Sequence, residues 1–130
     1  MFNQGTIIAK ASGAGRSAIS LFRLSGIDSI KIVSKCFQLK SQKKLGDQLS
    51  HTVHLGTLHY NGVKLDEVLV SVFKAPHSYT GENVVEISCH GSNFIQEEIL
   101  RLFISKGAKP AKPGEFTLRS FLNKKINLSQ

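Results

Sequence analysis

The pair Asn61-Gly62 narrows the fold more than any other feature of this chain. It lies between two runs rich in β-formers, Val53–Tyr60 and Val63–Phe73. Asn-Gly suits a two-residue type I′ turn, because both central positions of that turn need positive φ. The spacing therefore predicts a β-hairpin, and Val68, Val70 and Val72 alternate along its second arm as a half-buried strand requires.

The remaining segments read as a frame around that hairpin. Thr6–Ala11 is a strand by its β-branched start, and Ser12–Ala18 is a small-residue loop with two glycines. Ile19–Ser25 carries apolar residues on both faces, which predicts a central, buried strand with Arg23 on the face of Ile19 and Leu21. Asp28 is placed to cap a helix bearing Ile30, Val33 and Phe37 on one stripe. Gln38–Leu49 is expected to be a polar, lysine-rich, mobile connection, and Lys74–Asn83 a turn-rich loop. Val84–His90 is a strand with Val85, Ile87 and Cys89 facing one way and Glu86, Ser88 and His90 the other. Ser92 caps a helix with Ile95, Ile99, Leu102 and Phe103 on one stripe, Glu97–Arg101 as an i,i+4 pair and Gly107 as its stop. After Pro110 and Pro113, Phe116–Leu122 reads as a short helix ahead of a basic turn, Asn123-Lys124-Lys125. The order β-β-α-β-β-β-α-α predicts an α+β domain with a mixed or antiparallel sheet and about three helices.

Composition excludes several classes. At 130 residues, 41% hydrophobic and 20% charged, the chain fits one globular domain. Cys36 and Cys89 have no zinc or disulfide spacing, and the five histidines come without carboxylates or cysteines at matching positions, so no metal is expected. The start lacks a signal-peptide pattern, and no apolar run approaches the roughly 20 residues of a membrane helix, so a cytoplasmic location and no membrane partner are expected. The net charge of +8 favours an anionic or polyanionic partner or a merely soluble basic surface. The lysines cluster at Lys35–Lys44, Lys106–Lys112 and Lys124–Lys125, without the alternating aromatics of a base-stacking platform.

Few residues invite chemistry. Gly13-Ala14-Gly15-Arg16-Ser17 is glycine-rich, but G-x-x-x-x-G-K-[ST] is absent, so nucleotide hydrolysis is not expected of this chain alone. Cys89 and His90 point to opposite faces of their strand and cannot act as nucleophile and base. No catalytic residue is assigned. Glu86 and Arg23 stand mid-strand where apolar residues would serve as well, which suits either a structural ion pair on a solvated face or a ligand site.

Three stretches together resemble one family. TIIAKASGAGRSAISLFRLSG is similar to the opening of the TrmE/MnmE family. DEVLVSVFKAPHSYTGENVVEISCHGS resembles its P-x-S-[FY]-T-G-E-[DN] core, and KPGEFTLRSFLNKKINLSQ its R-P-G-E-F-[ST]-x-R-A-F-L-N stretch. The loop prolines of the family are absent here, and its H-G-G is His90-Gly91-Ser92. The resemblance implies residues 1–122 as the family's N-terminal, tetrahydrofolate-binding and dimerisation domain, with 123–130 starting the connection to helical and GTPase domains. It implies a fold similar to the folate-binding part of the glycine-cleavage T-protein, with 5-formyl- or 5,10-methylene-tetrahydrofolate held by Arg23, Glu86 and Lys125. GTP, potassium and magnesium would belong only to the GTPase domain, which makes the full-length parent an enzyme and this fragment non-catalytic. The implied partners are a second copy of the chain, the GidA/MnmG flavoprotein subunit and tRNA, whose wobble uridine receives a carboxymethylaminomethyl-type group at C5. Two other readings stay open: a basic tRNA-binding module of the same enzyme, and a free-standing folate-dependent aminomethyltransferase.

Overall fold

The computed structural model describes residues 5–11 and 18–128, the side chains of 125–128 excepted. The loop 12–17 expected from sequence therefore lies outside the described residues. Among those described, seven strands form one mixed sheet: β1 (Ile7–Lys10), β2 (Ile19–Ser25), β3 (Phe37–Leu39), β4 (Thr52–Tyr60), β5 (Val63–Phe73), β6 (Val84–His90) and β7 (Lys109–Pro110), in the order β3-β4-β5-β6-β2-β1-β7. Every neighbouring pair is antiparallel except β1 with β7. Three α-helices, α1 (Ser29–Ser34), α2 (Asn93–Ser105) and α3 (Glu115–Leu128), complete the α+β domain.

The hairpin forms as its sequence requires. Asn61 and Gly62 adopt φ of 53° and 78°, and β4 and β5 pair from Tyr60↔Val63 to Thr52↔Val72 with one irregularity at Leu58/His59. Alternation then sorts the side chains. Phe22, Leu24, Val68, Val70, Val72, Val85, Ile87 and Cys89 point to one face, where Ile32 and Val33 of α1 and Ile99, Leu102 and Phe103 of α2 close the core. Cys89 is thus a core residue, and burial pushes its thiol up to about 11.

The structure differs from the sequence reading in several places. The first helix is only Ser29–Ser34, Asp28 makes no side-chain cap, and Phe37 opens β3. Its stripe continued past the helix because Phe37 is buried from a strand. The Lys-rich segment 38–49 is not a loose connection: β3 pairs with β4, a 3₁₀ turn spans Leu45–Asp47, and Leu39 and Leu45 sink into the core. Ile19 is 63% exposed, so β2 is central but not buried on both faces. The short β7 was not foreseen; Pro110 is tolerated there because Lys109 and Ala111, not Pro110, donate to Thr6 and Ile8. On α2 the ion pair is Glu98–Arg101 at i,i+3, not Glu97–Arg101.

Gly56 of β4 is required by close approach. A Cβ there would run into the Gln38 carbonyl and the Phe37 ring of β3. Gly56→Ala should therefore lower stability by about 1–3 kcal/mol, the usual cost of overpacking, as read from the urea midpoint.

Candidate functional site

The face of the sheet opposite α1 and α2 carries the polar residues. Arg23 of β2 and Glu86 of β6 are direct cross-strand partners. Pleat parity alone puts both on this face, and register makes them meet. Arg23 Nε and Nη2 each donate to Glu86 Oε2 at 2.9 Å. Both side chains are about one-fifth exposed, 23% and 21%. Among the described residues none donates to Glu86 Oε1, so this carboxylate keeps one oxygen for another donor.

Two rings border the guanidinium. Its carbon lies 5.0 Å from the centre of the Tyr79 ring and 5.6 Å from that of Phe116, both within cation–π range. Tyr79 comes from the loop after β5 and Phe116 from the first turn of α3. Their hydroxyl-bearing neighbours also meet, with Tyr79 Oη 3.2 Å from Thr117 Oγ1.

Arg119 holds these two elements together. Its side chain is 1% exposed, and Nη1 donates to both Glu82 oxygens at 3.1 and 3.3 Å. Nη2 donates to Glu115 Oε2 at 3.0 Å. Glu82 Oε1 also accepts from Ser25 Oγ at 2.7 Å, which leaves the Thr80 hydroxyl to donate to Ser25 Oγ at 2.6 Å. Asn123 Nδ2 donates to the Thr80 carbonyl at 2.6 Å. Asn123 packs so tightly that a Cβ on Gly81, whose φ is 82°, would come within 2.9 Å of Asn123 Cβ. The loop 74–83 is thus locked between β2 and α3.

Of the three residues expected at a ligand site, the structure brings Arg23 and Glu86 together. Lys125 lies on α3, which runs through the basic turn expected at Asn123-Lys124-Lys125; its side chain is outside the described residues. The helix continues because Asn123 is tied to Thr80. Sequence reasoning missed Tyr79, Phe116, Glu82 and Arg119 as site-building residues. Their signal was present in Ser78-Tyr79-Thr80-Gly81-Glu82 and Gly114-Glu115-Phe116, but only their spatial meeting gives it meaning. Among the described residues, no group of three or more His, Cys, Asp and Glu could hold a metal ion, and no helix is long and apolar enough to cross a membrane.

A half-buried acidic and basic pair on a sheet face, walled by the loop after β5 and by α3, is the candidate site of this α+β domain. The family model described as "GTP-binding protein TrmE N-terminus" matches residues 6–125, and the chain belongs to that family. It is 52% identical over 130 residues to the tRNA modification GTPase MnmE of Flavobacterium johnsoniae, covering 100% of this chain and 28% of that protein. The MnmE of Christiangramia forsetii is 53% identical over 125 residues, 96% of this chain and 26% of the relative, and that of Bacteroides thetaiotaomicron 49% over 130 residues, 98% and 28%. The chain therefore spans between a quarter and a third of the length of these relatives.

Two experiments probe the Arg119 lock. Arg119→Ala leaves two carboxylates facing each other without their cation and should cost about 3–5 kcal/mol in urea unfolding. Burial would raise the pKa of Glu115, but the Lys112 backbone N–H and Arg119 outweigh it and hold the carboxyl below its ordinary 4.5. A depressed folded pKa gives stability that is full above the unfolded value and is lost as pH falls through the folded one. Stability should accordingly drop on acidification below about pH 4, and the drop should be smaller in Glu115→Gln.

Proposed function

We propose that this domain holds a reduced folate, 5-formyl- or 5,10-methylene-tetrahydrofolate, for a tRNA-modifying GTPase. The observation that carries this reading is Glu86, half-buried beside Arg23 and two aromatic rings, with no donor to its Oε1 among the described residues. The pterin ring of a folate presents a ring N–H beside an exocyclic amino group, and a fixed carboxylate accepts from both. With Arg23 on one oxygen, Glu86 is already oriented before the ligand arrives. The glutamate tail of a folate is anionic and needs cations, and Arg23 and Lys125 supply them. The Tyr79 and Phe116 rings add flat apolar surface suited to a pterin or its benzoyl linker. The fold that resembles the folate-binding part of the glycine-cleavage T-protein belongs to the same reading.

The residues here bind and orient; none is placed as a general base or nucleophile. In the proposed parent enzyme the one-carbon unit is delivered from this site to C5 of the wobble uridine of a tRNA presented with the GidA/MnmG flavoprotein subunit. GTP, potassium and magnesium belong to a GTPase domain in the length of the relatives that this chain does not match. A cytoplasmic setting follows from that reaction.

Dimerisation through this domain is part of the same proposal. The uncovered half of the sheet face displays Ile19, Val53, Leu55 and Leu69, each at least 39% exposed. Such a row of aliphatics on one face supports contact with a second copy.

Calorimetric titration with 5-formyltetrahydrofolate tests the folate reading. Saturable binding is expected, with Glu86→Ala losing it while circular dichroism shows an intact fold. Unchanged affinity in Glu86→Ala would remove Glu86 from the site. Sedimentation of the same samples reports whether the chain is a dimer.

A further inference from the structure

The arginines and lysines of this chain are used differently. Arg23, Arg101 and Arg119 each hold a carboxylate, and His90 holds Asp66 at 2.7 Å. Those contacts engage Asp66, Glu82, Glu86, Glu98 and Glu115, and among the described residues no lysine forms an ion pair. The excess positive charge of +8 is therefore carried by unneutralised ammonium groups.

Five of the lysines line two grooves near the β3 edge of the sheet. Lys35, Lys43 and Lys44 line a groove of about 390 Å³ together with Gln38, Gln42 and His59. Lys31, Lys44 and Lys74 line a second groove of about 680 Å³ beside Ser34 and Asn83. Ser34 and Lys44 are shared, so the two grooves adjoin. Asp47 is the only carboxylate lining either one. Lys31 lies on α1 and Lys35 caps its C-terminal end.

This edge is ordered. Leu39 and Leu45 anchor it in the core at 3% and 2% exposure. Lys40 N donates to the Leu55 carbonyl at 2.9 Å, and Gln42, at φ of 67°, donates from its backbone to Leu39 at 3.0 Å. Gln38 Nε2 donates to Gln42 Oε1 at 3.0 Å, and Gln48 Nε2 to the Lys44 carbonyl at 2.8 Å. Lys74 Nζ donates to the Gly46 carbonyl at 3.0 Å and keeps two further donors. An ordered display lowers the entropy lost when side chains are fixed against a partner.

We propose that this lysine edge, built from α1, β3 and the 3₁₀ turn, docks the phosphodiester backbone of RNA. Five lysines that form no ion pair among the described residues stand around adjoining grooves and match a chain of closely spaced single negative charges, and the Gln, Ser and Asn side chains can reach phosphate and 2′-hydroxyl oxygens. Among the described residues lining the grooves the one aromatic besides His59 is the buried Phe37, so the surface suits gripping the backbone more than reading bases. The edge centres on α1 and β3, while Lys74 and Asn83 of its second groove end the loop that carries Tyr79 to Arg23. The inference rests on the proposed function only in taking RNA as the polyanion.

The test is fluorescence anisotropy of a labelled, unmodified tRNA transcript titrated with the 130-residue chain over a series of salt concentrations. Five phosphate contacts at about 0.7–0.9 each give a log–log salt slope of roughly −4. Lys43→Glu/Lys44→Glu should weaken binding roughly tenfold or more at low salt and bring the slope nearer zero by about 2. Lys109→Glu/Lys112→Glu, the same charge change at the opposite edge of the sheet, should change affinity far less. No binding at low salt, equal losses in the two double variants, or poly-glutamate bound as tightly as tRNA would each overturn the proposal. Folate titration without RNA reads the Glu86 site independently, so either reading can fail alone.

Discussion

Among the described residues one buried guanidinium, that of Arg119, organises the part of the molecule that holds the candidate site. Arg119 has almost no contact with water, and it survives there because Glu82 and Glu115 neutralise it from two different elements. A buried cation with one partner missing is far costlier than the intact cluster. The cluster therefore acts as a condition on the geometry: the loop after β5 and the helix α3 must be in place together. Tyr79 and Phe116, which border Arg23, ride on these two elements. The ion pair between β2 and β6 is fixed by strand register, whereas its walls are fixed by Arg119.

The two pairs also illustrate different uses of the same chemistry. Arg119 is sealed and paired through Nη1 and Nη2 with carboxylates of two elements, so it stabilises an arrangement. Arg23 occupies one oxygen of Glu86 and leaves the other open in a partly solvated setting. A carboxylate held in orientation but not saturated is suited to recognition. Burial and saturation, more than residue type, separate the structural pair from the candidate site.

Much of this was legible in the sequence where a local rule and the tertiary structure agree. The bounds of β2, β5 and β6 follow from two-residue alternation between turn residues, and Asn61-Gly62 takes the positive φ values its turn needs. Parity placed Glu86 opposite Val85, Ile87 and Cys89, whereas Arg23 was expected within a strand buried on both faces, and no sequence rule aligns residue 23 with residue 86; only the register of β2 on β6 does. The segments misread were those whose structure is decided from afar. Phe37–Leu39 is too short to announce a strand and exists because β4 offers it a free edge. Asn123 looks like a turn residue and sits in a helix because Thr80 captures its side chain. Arg119 gave no sign of burial, since its two acceptors are 37 and 4 residues away.

The strand β1 has a consequence for how the chain is made. It lies between β2 and β7, so residues 7–10 are flanked on one side by residues 22–25 and on the other by residues 109–110. The partner on that outer side leaves the ribosome about a hundred residues later. Contacts of such long sequence separation close late, because loop entropy must be lost before they form. During synthesis the core of α1, α2 and the hairpin can assemble with one edge of β1 bare, and β7 covers it only when the link before α3 appears. The helix that completes the candidate site follows directly behind. Completion of the sheet and completion of the site thus fall at the same moment of translation, and a truncated chain presents neither.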